Sequence, residues 1–120
     1  DDDRNILSAL KHLFHRDGYE VLMARSGEEA LDLMANHVVK VIIADQRMPN
    51  MTGTEFLARV KVMHPRTVRM VLSGYTDLST VTEAINRGEI YKFHTKPWDD
   101  EALRNDVRDA FSHYESLGQA

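Results

Sequence analysis

The chain has no cysteine. This excludes a disulfide framework, a thiolate nucleophile and any cysteine-ligated zinc site, and it suits a reducing compartment. Glycine and proline are sparse, with six and three residues among 120. They fall singly as punctuation, so linkers, repeats and low-complexity segments are ruled out. None of the glycines forms a G-x-G turn, which argues against a flavodoxin-like cofactor binder that cradles a phosphate on its backbone. No apolar run approaches the length needed to span a bilayer. There is no excess of positive charge either. Fifteen Lys and Arg stand against nineteen Asp and Glu, a formal charge of −4, whereas a domain that grips nucleic acid through its phosphates is usually basic. The leading Asp1-Asp2-Asp3 shows no basic segment followed by an apolar one, so no secretory signal is read there.

What remains is an ordinary domain composition, 42% hydrophobic and 28% charged, with strong periodicity. Ile6, Leu7, Leu10, Leu13 and Phe14 recur at helical steps, and Gly18 ends that helix. Tyr19, Val21 and Met23 alternate as a short strand would. Ser26 with Glu29 reads as a capping box before a helix carrying Ala30, Leu31, Leu33 and Met34. Residues 38–44 are β-branched and apolar, the pattern of a strand buried on both faces. Thr52 with Glu55 is a second capping box, ahead of Phe56, Leu57, Val60 and Met63. Residues 68–72 are strand-like. Asp77 is placed to cap a helix with Val81, Ala84 and Ile85 that stops at Gly88. Residues 90–93 form a short strand before Lys96-Pro97, and Asp99 is placed to cap a last helix with Leu103, Val107, Ala110, Phe111 and Tyr114. This alternation predicts a parallel α/β sheet covered by helices. The same rhythm calls for a further strand ahead of Asp1, outside this sequence.

Chemistry in an open parallel sheet gathers at the carboxyl ends of its strands. Asp45 closes one strand, Ser73 with Gly74 closes the next, and Lys96 follows the last. The acidic run Asp1-Asp2-Asp3 stands where a preceding strand would end. Each has an ordinary explanation as a cap, turn or surface residue, but all four fall on one edge. Clustered carboxylates repel and need a cation, and an all-oxygen ligand set favours a hard ion such as Mg²⁺. His12 and His15, three apart on the first helix, have no third ligand and read as solvated surface. His94 reads as a packing or surface residue, the methionines as core filler, and Trp98 as a cover for the last helix.

The set Asp1-Asp2, Asp45 with Met48-Pro49 and Thr52-Gly53, Ser73-Gly74 and Lys96-Pro97 resembles the receiver domain of two-component response regulators, over essentially the whole chain. The resemblance implies a flavodoxin-like, doubly wound parallel sheet of five strands, whose first strand is absent from this chain and lies mid-sheet in the family. It implies a receiver domain over 1–120, with 115–120 leading toward an output domain. It makes Asp45 the phosphoacceptor and places Mg²⁺ on Asp1, Asp2, Asp45 and the Arg47 carbonyl. Asp1-Asp2 is matched rather than Asp2-Asp3 because the family's acidic pair sits directly at the strand end. Ser73 and Lys96 contact the phosphoryl group, Phe93 takes the aromatic switch position with Ser73, and the Lys96-Pro97 peptide is cis.

The implied function is a cytoplasmic switch, phosphorylated by a sensor histidine kinase or histidine phosphotransfer protein in a Mg²⁺-dependent reaction. It is no enzyme beyond promoting its own phosphorylation and dephosphorylation. Direct contact with nucleic acid or membrane is not implied, and a homodimer is left open. Two rivals stand beside it. One is a pseudo-receiver that acts only as an interaction module, although no key residue is lost. The other is a Mg²⁺-dependent aspartyl phosphohydrolase, which wants a second acid two residues after its nucleophile, where this chain has Arg47. The Arg47 side chain stands at the rim of the site, either solvated or folded across it.

Overall fold

Val68–Ser73 is buried along nearly its whole length, as the middle strand of a covered parallel sheet must be. The computed structural model describes residues 4–74 and 77–117. In chain order these form α1 (Arg4–Arg16), α2 (Gly27–Asn36), β1 (Val41–Asp45), α3 (Gly53–Met63), β2 (Val68–Ser73), α4 (Leu78–Asn86), β3 (Lys92–Thr95) and α5 (Asp100–Leu117). The strands pair in parallel in the order β1-β2-β3, with Asp45 opposite Leu72 and Ser73 opposite Thr95.

Strand alternation divides the core. Ala44 and Val71 pack with Met34 of α2, Phe56, Leu57 and Val60 of α3, and Val81 and Ala84 of α4. Val68 and Met70 pack on the other face with Phe14 of α1 and Leu103, Val107, Ala110 and Tyr114 of α5. Each helix thus buries its apolar stripe on one side of the sheet, the doubly wound arrangement expected from the sequence. Gly18 closes α1 at φ 86°, a left-handed turn that glycine adopts without Cβ strain. It lets the Gly18 and Tyr19 amides donate to the carbonyls of His15 and Phe14. The Thr52 capping box is complete. Ser26 accepts from the Glu29 amide, but the Glu29 carboxylate faces the Arg25 amide, at 3.4 Å. Asp99 caps α5 by accepting from Ala102. Trp98 packs beside the α5 cluster and donates to Asp100.

Three expectations about strands need correction. Residues 19–24 form no strand, because alternation alone makes no strand without a neighbour to share ladder hydrogen bonds. Among the described residues β1 pairs only with β2. Between its other edge and residues 19–24 runs a groove of about 640 Å³, lined by apolar side chains that include Leu10, Phe14, Ile43 and Phe111. The strand expected over 38–44 starts at Val41, and Val38 is 85% exposed. The last strand is Lys92–Thr95 rather than 90–93. Ile90 is buried, but ladder pairing begins where Lys92 meets Met70. Apolar patterning reports burial, and the ladder follows backbone register.

Lys92 and His94, two apart on β3, both reach Asp106 of α5, at 3.0 and 2.7 Å. Burial pushes the Asp106 carboxyl up, but the hydrogen bonds from Lys92 and His94 outweigh it and hold it below its ordinary 3.8. A carboxyl depressed in the folded state stabilises above its unfolded value and loses that contribution as pH falls through the folded one. Asp106→Asn should therefore lower stability at pH 7 relative to the parent, and the gap should close in acid below 3.8. Urea unfolding of both proteins across this range checks it; a gap that persists at low pH would contradict the assignment.

Candidate functional site

The parallel register brings three strand ends to one edge. Asp45 is the last residue of β1 and Ser73 the last of β2, and Lys96 follows β3 directly. The Asp45 side chain is only 3% exposed, and an unpaired carboxylate at that depth would be costly. Two groups hold it. The Lys96 ammonium lies 2.5 Å from Oδ2, and the Arg47 backbone amide donates to Oδ1 at 2.9 Å. Lys96 is itself anchored, since its amide donates to the Ser73 carbonyl at 3.1 Å. The Lys96-Pro97 peptide is cis.

The other expected residues fall as follows. Ser73 is fully buried, and its hydroxyl donates to the Gly74 carbonyl at 2.9 Å, so it stands at the edge but is turned to its own loop. Phe93, on β3, is 37% exposed. The Arg47 side chain is 74% exposed, and its Nε lies 3.5 Å from Oδ2 of Asp77. Asp1 and Asp2 lie outside the described residues. Among the described residues no three His, Asp or Glu side chains gather as a metal site, and His12 and His15 are exposed on α1. His94 is turned to Asp106, in keeping with a packing role.

One residue escaped the sequence reading, and another is placed as expected but does something else. Gln46 is buried, its Oε1 accepting from the Thr54 amide at 2.9 Å and its Nε2 donating to the Thr54 hydroxyl at 3.1 Å. The first amides of α3 are thereby consumed: Gly53 donates to the Gln46 carbonyl, Thr54 to the Gln46 side chain and Glu55 to Thr52. An anion at this edge must take its partners from Lys96, Ser73 and loop amides, not from the α3 N-terminus. A long amide beside an acidic strand end was the only signal for Gln46. Asp77 is the second. It occupies the N-cap of α4 as expected, but its side chain makes no cap hydrogen bond.

Gly53 shows how tightly the loop is built. A Cβ there would lie 2.5 Å from the Asp45 carbonyl oxygen and 2.9 Å from its carbon. Backbone cannot yield as a flexible side chain does, so Gly53→Ala should cost about 1–3 kcal/mol and displace Asp45. Gly74→Ala is the control, because among the described residues nothing beyond its chain neighbours lies within 4 Å of its Cβ position. Equal melting temperatures for the two variants would contradict the close approach.

Comparison with known proteins follows the same outline. The family model described as "Response regulator receiver domain" matches residues 1–108. The hydrogenase transcriptional regulatory protein HoxA of Cupriavidus necator is 39% identical over 110 residues, covering 92% of this chain and 23% of that protein. Sporulation initiation phosphotransferase F of Bacillus subtilis is 29% identical over 108 residues, covering 90% of this chain and 86% of that protein. The chain thus spans about a quarter of HoxA but most of the phosphotransferase. Among solved structures, the signal receiver domain of an HD domain-containing protein from Pseudomonas fluorescens Pf-5 superposes with a TM-score of 0.93 at 37% identity, covering 99% of this chain and 88% of that one. A protein from Neptuniibacter caesariensis superposes at 0.95 with 35% identity and the same coverage.

Proposed function

This chain belongs to the response regulator receiver family, and from that premise we propose that it is a phosphorylation-driven switch with Asp45 as its acceptor. The observation that carries the reading is the contact between the buried Asp45 carboxylate and the Lys96 ammonium, 2.5 Å apart at the carboxyl edge of the sheet. A carboxylate oxygen of Asp45 attacks the phosphorus of a phosphohistidine on a partner, or of a small phosphodonor. The O–P bond forms as the P–N bond breaks, the imidazole keeps the electron pair and takes a proton, and Asp45 becomes an acyl phosphate. Lys96 follows the charge from the carboxylate to a phosphoryl oxygen, so catalysis is positioning and electrostatics.

The donor set fits a hard divalent ion: the Asp45 carboxylate, the Arg47 carbonyl and the carboxylates of Asp1 and Asp2 are all oxygen ligands. Mg²⁺ bound there would neutralise the clustered carboxylates and the transferring oxygens. The Ser73 hydroxyl, now on the Gly74 carbonyl, would turn to the phosphoryl group and carry its loop with it, and Phe93 would rotate into the space left. The partners implied are a sensor histidine kinase or histidine phosphotransfer protein, and an output domain beyond residues 115–120, as HoxA's designation as a transcriptional regulator suggests. A homodimer is the remaining proposal of this kind. Signalling is assigned to the cytoplasm without contact to nucleic acid or membrane. Among the described residues no helix is long and apolar enough to cross a membrane.

Incubation with Mg²⁺ and a small phosphodonor tests the reading by intact-protein mass. The parent should gain one phosphoryl group. Asp45→Asn, nearly isosteric, should fold and gain none; labelling of that variant at the parental rate would remove Asp45 from its role. Continuous release of phosphate would favour a phosphohydrolase, and an unlabelled parent an interaction module. Ser73→Ala should still be labelled but transmit less, read as a smaller phosphorylation-dependent change in partner affinity. A full response from that variant would take the sensing role from Ser73.

A further inference from the structure

Arg47 joins two parts of the molecule that are 30 residues apart. Its backbone amide holds Oδ1 of Asp45, while its guanidinium reaches Asp77 at the start of α4. Asp77 is unusual for its place. An aspartate at an N-cap normally accepts from the amide two or three residues on, but this one makes no cap bond and sits at φ −105°, ψ 6°, its carboxylate facing the arginine instead. The loop after Asp45 and the N-terminus of α4 are thus tied by an exposed ion pair, and α4 lacks a side-chain cap from Asp77.

We propose that Asp77 is a positioning residue that holds the Arg47 guanidinium off Asp45 at the expense of capping α4, and that a phosphoryl group on Asp45 reverses the exchange. The second half rests on Asp45 being the phosphoacceptor. A phosphoryl dianion offers a guanidinium several charged acceptor oxygens, a stronger set than the 3.5 Å contact to the Asp77 carboxylate. Arg47 leaves, and Asp77 is free to accept from the amide of Thr80. One substitution of partners then reports the state of Asp45 to α4 along a route that involves neither Ser73 nor Phe93. Arg47 folded over the phosphoryl group also stands in the way of the water that would hydrolyse it. Asp77 therefore sets the lifetime of the phosphorylated form by competing for Arg47.

The two halves are tested separately. In the unphosphorylated, metal-free protein, Arg47→Ala should release Asp77 to its cap and slow hydrogen exchange at the Thr80 amide by about threefold or more, the range of a gained N-cap. Adding Asp77→Asn to that variant and measuring circular dichroism controls for folding. Exchange at Thr80 that is unchanged in Arg47→Ala overturns the proposal, whatever Asp45 does. In the phosphorylated protein, prepared with Mg²⁺ and a small phosphodonor, Asp77→Asn should lengthen the lifetime of the acyl phosphate by about two- to fivefold, the scale of an exposed ion pair. Arg47→Ala should shorten it, and Asp77→Asn should have no effect in the Arg47→Ala background. An equal effect of Asp77→Asn in both backgrounds, or none in either, overturns the competition. If the parent takes no label at all, the acceptor reading fails, and the Thr80 exchange alone decides whether the pair withholds the cap.

Discussion

A buried carboxylate at the end of a strand constrains everything around it. Asp45 is almost wholly withdrawn from water, and the desolvation of such a charge is several kcal/mol before compensation. Lys96 must therefore be present, it must come from β3, and β3 must end level with β2. The Lys96 amide bonded to the Ser73 carbonyl is how the sheet delivers it. The same condition makes the site responsive. Under the proposed function, a carboxylate held by this ammonium and this amide would gain negative oxygens on phosphorylation, and its partners would follow the new charge.

The two faces of the sheet serve that edge differently. On one side α3 is fastened tightly: Gly53 sits against the Asp45 carbonyl, and the Gln46 side chain takes up the Thr54 amide. The first turn of α3 is thus spent on the strand end, and its hydrogen bonds tie the loop after Asp45 to the helix. By contrast α4 begins with a carboxylate that does not cap it. The helix that Asp77 leaves uncapped lies beside the helix whose first turn is fastened to the strand end, and both border Asp45. On the opposite face β3 and α5 are joined by Lys92 and His94 on Asp106, a polar network that fastens the short strand to its helix.

Much of this was legible in the residues. Period-3.6 stripes ending in Gly18 and Gly88, the capping box at Thr52 and the β-branched run before Asp45 specify helices and buried strands by local physics alone. Because parallel strands place their ends on one edge, Asp45, Ser73 and Lys96 could be grouped before any coordinates. Residues 19–24 were misread for a physical reason: their alternation is real, but a strand is a relation between two backbones, and no described neighbour supplies the other half. The two-residue shift of β3 has the same origin, since burial of Ile90 and pairing of Lys92 obey different rules. Gln46 was missed, and Asp77 was read as a cap it does not make, because their partners lie across the chain, and a side chain's partner leaves no periodicity.

The sequence by itself determined the order of elements, which faces they bury, and which charged groups stand at the strand ends, because these follow from nearest-neighbour sterics and from the spacing of apolar side chains. The tertiary structure alone decided which of those groups touch. It set Lys96 on Asp45, turned the Ser73 hydroxyl to Gly74 and laid the exposed Arg47 side chain beside Asp77. Those choices rest on distances of a few ångströms between segments tens of residues apart, where the register of a ladder and the depth of burial fix the electrostatics, and neither is written in any local stretch of the chain.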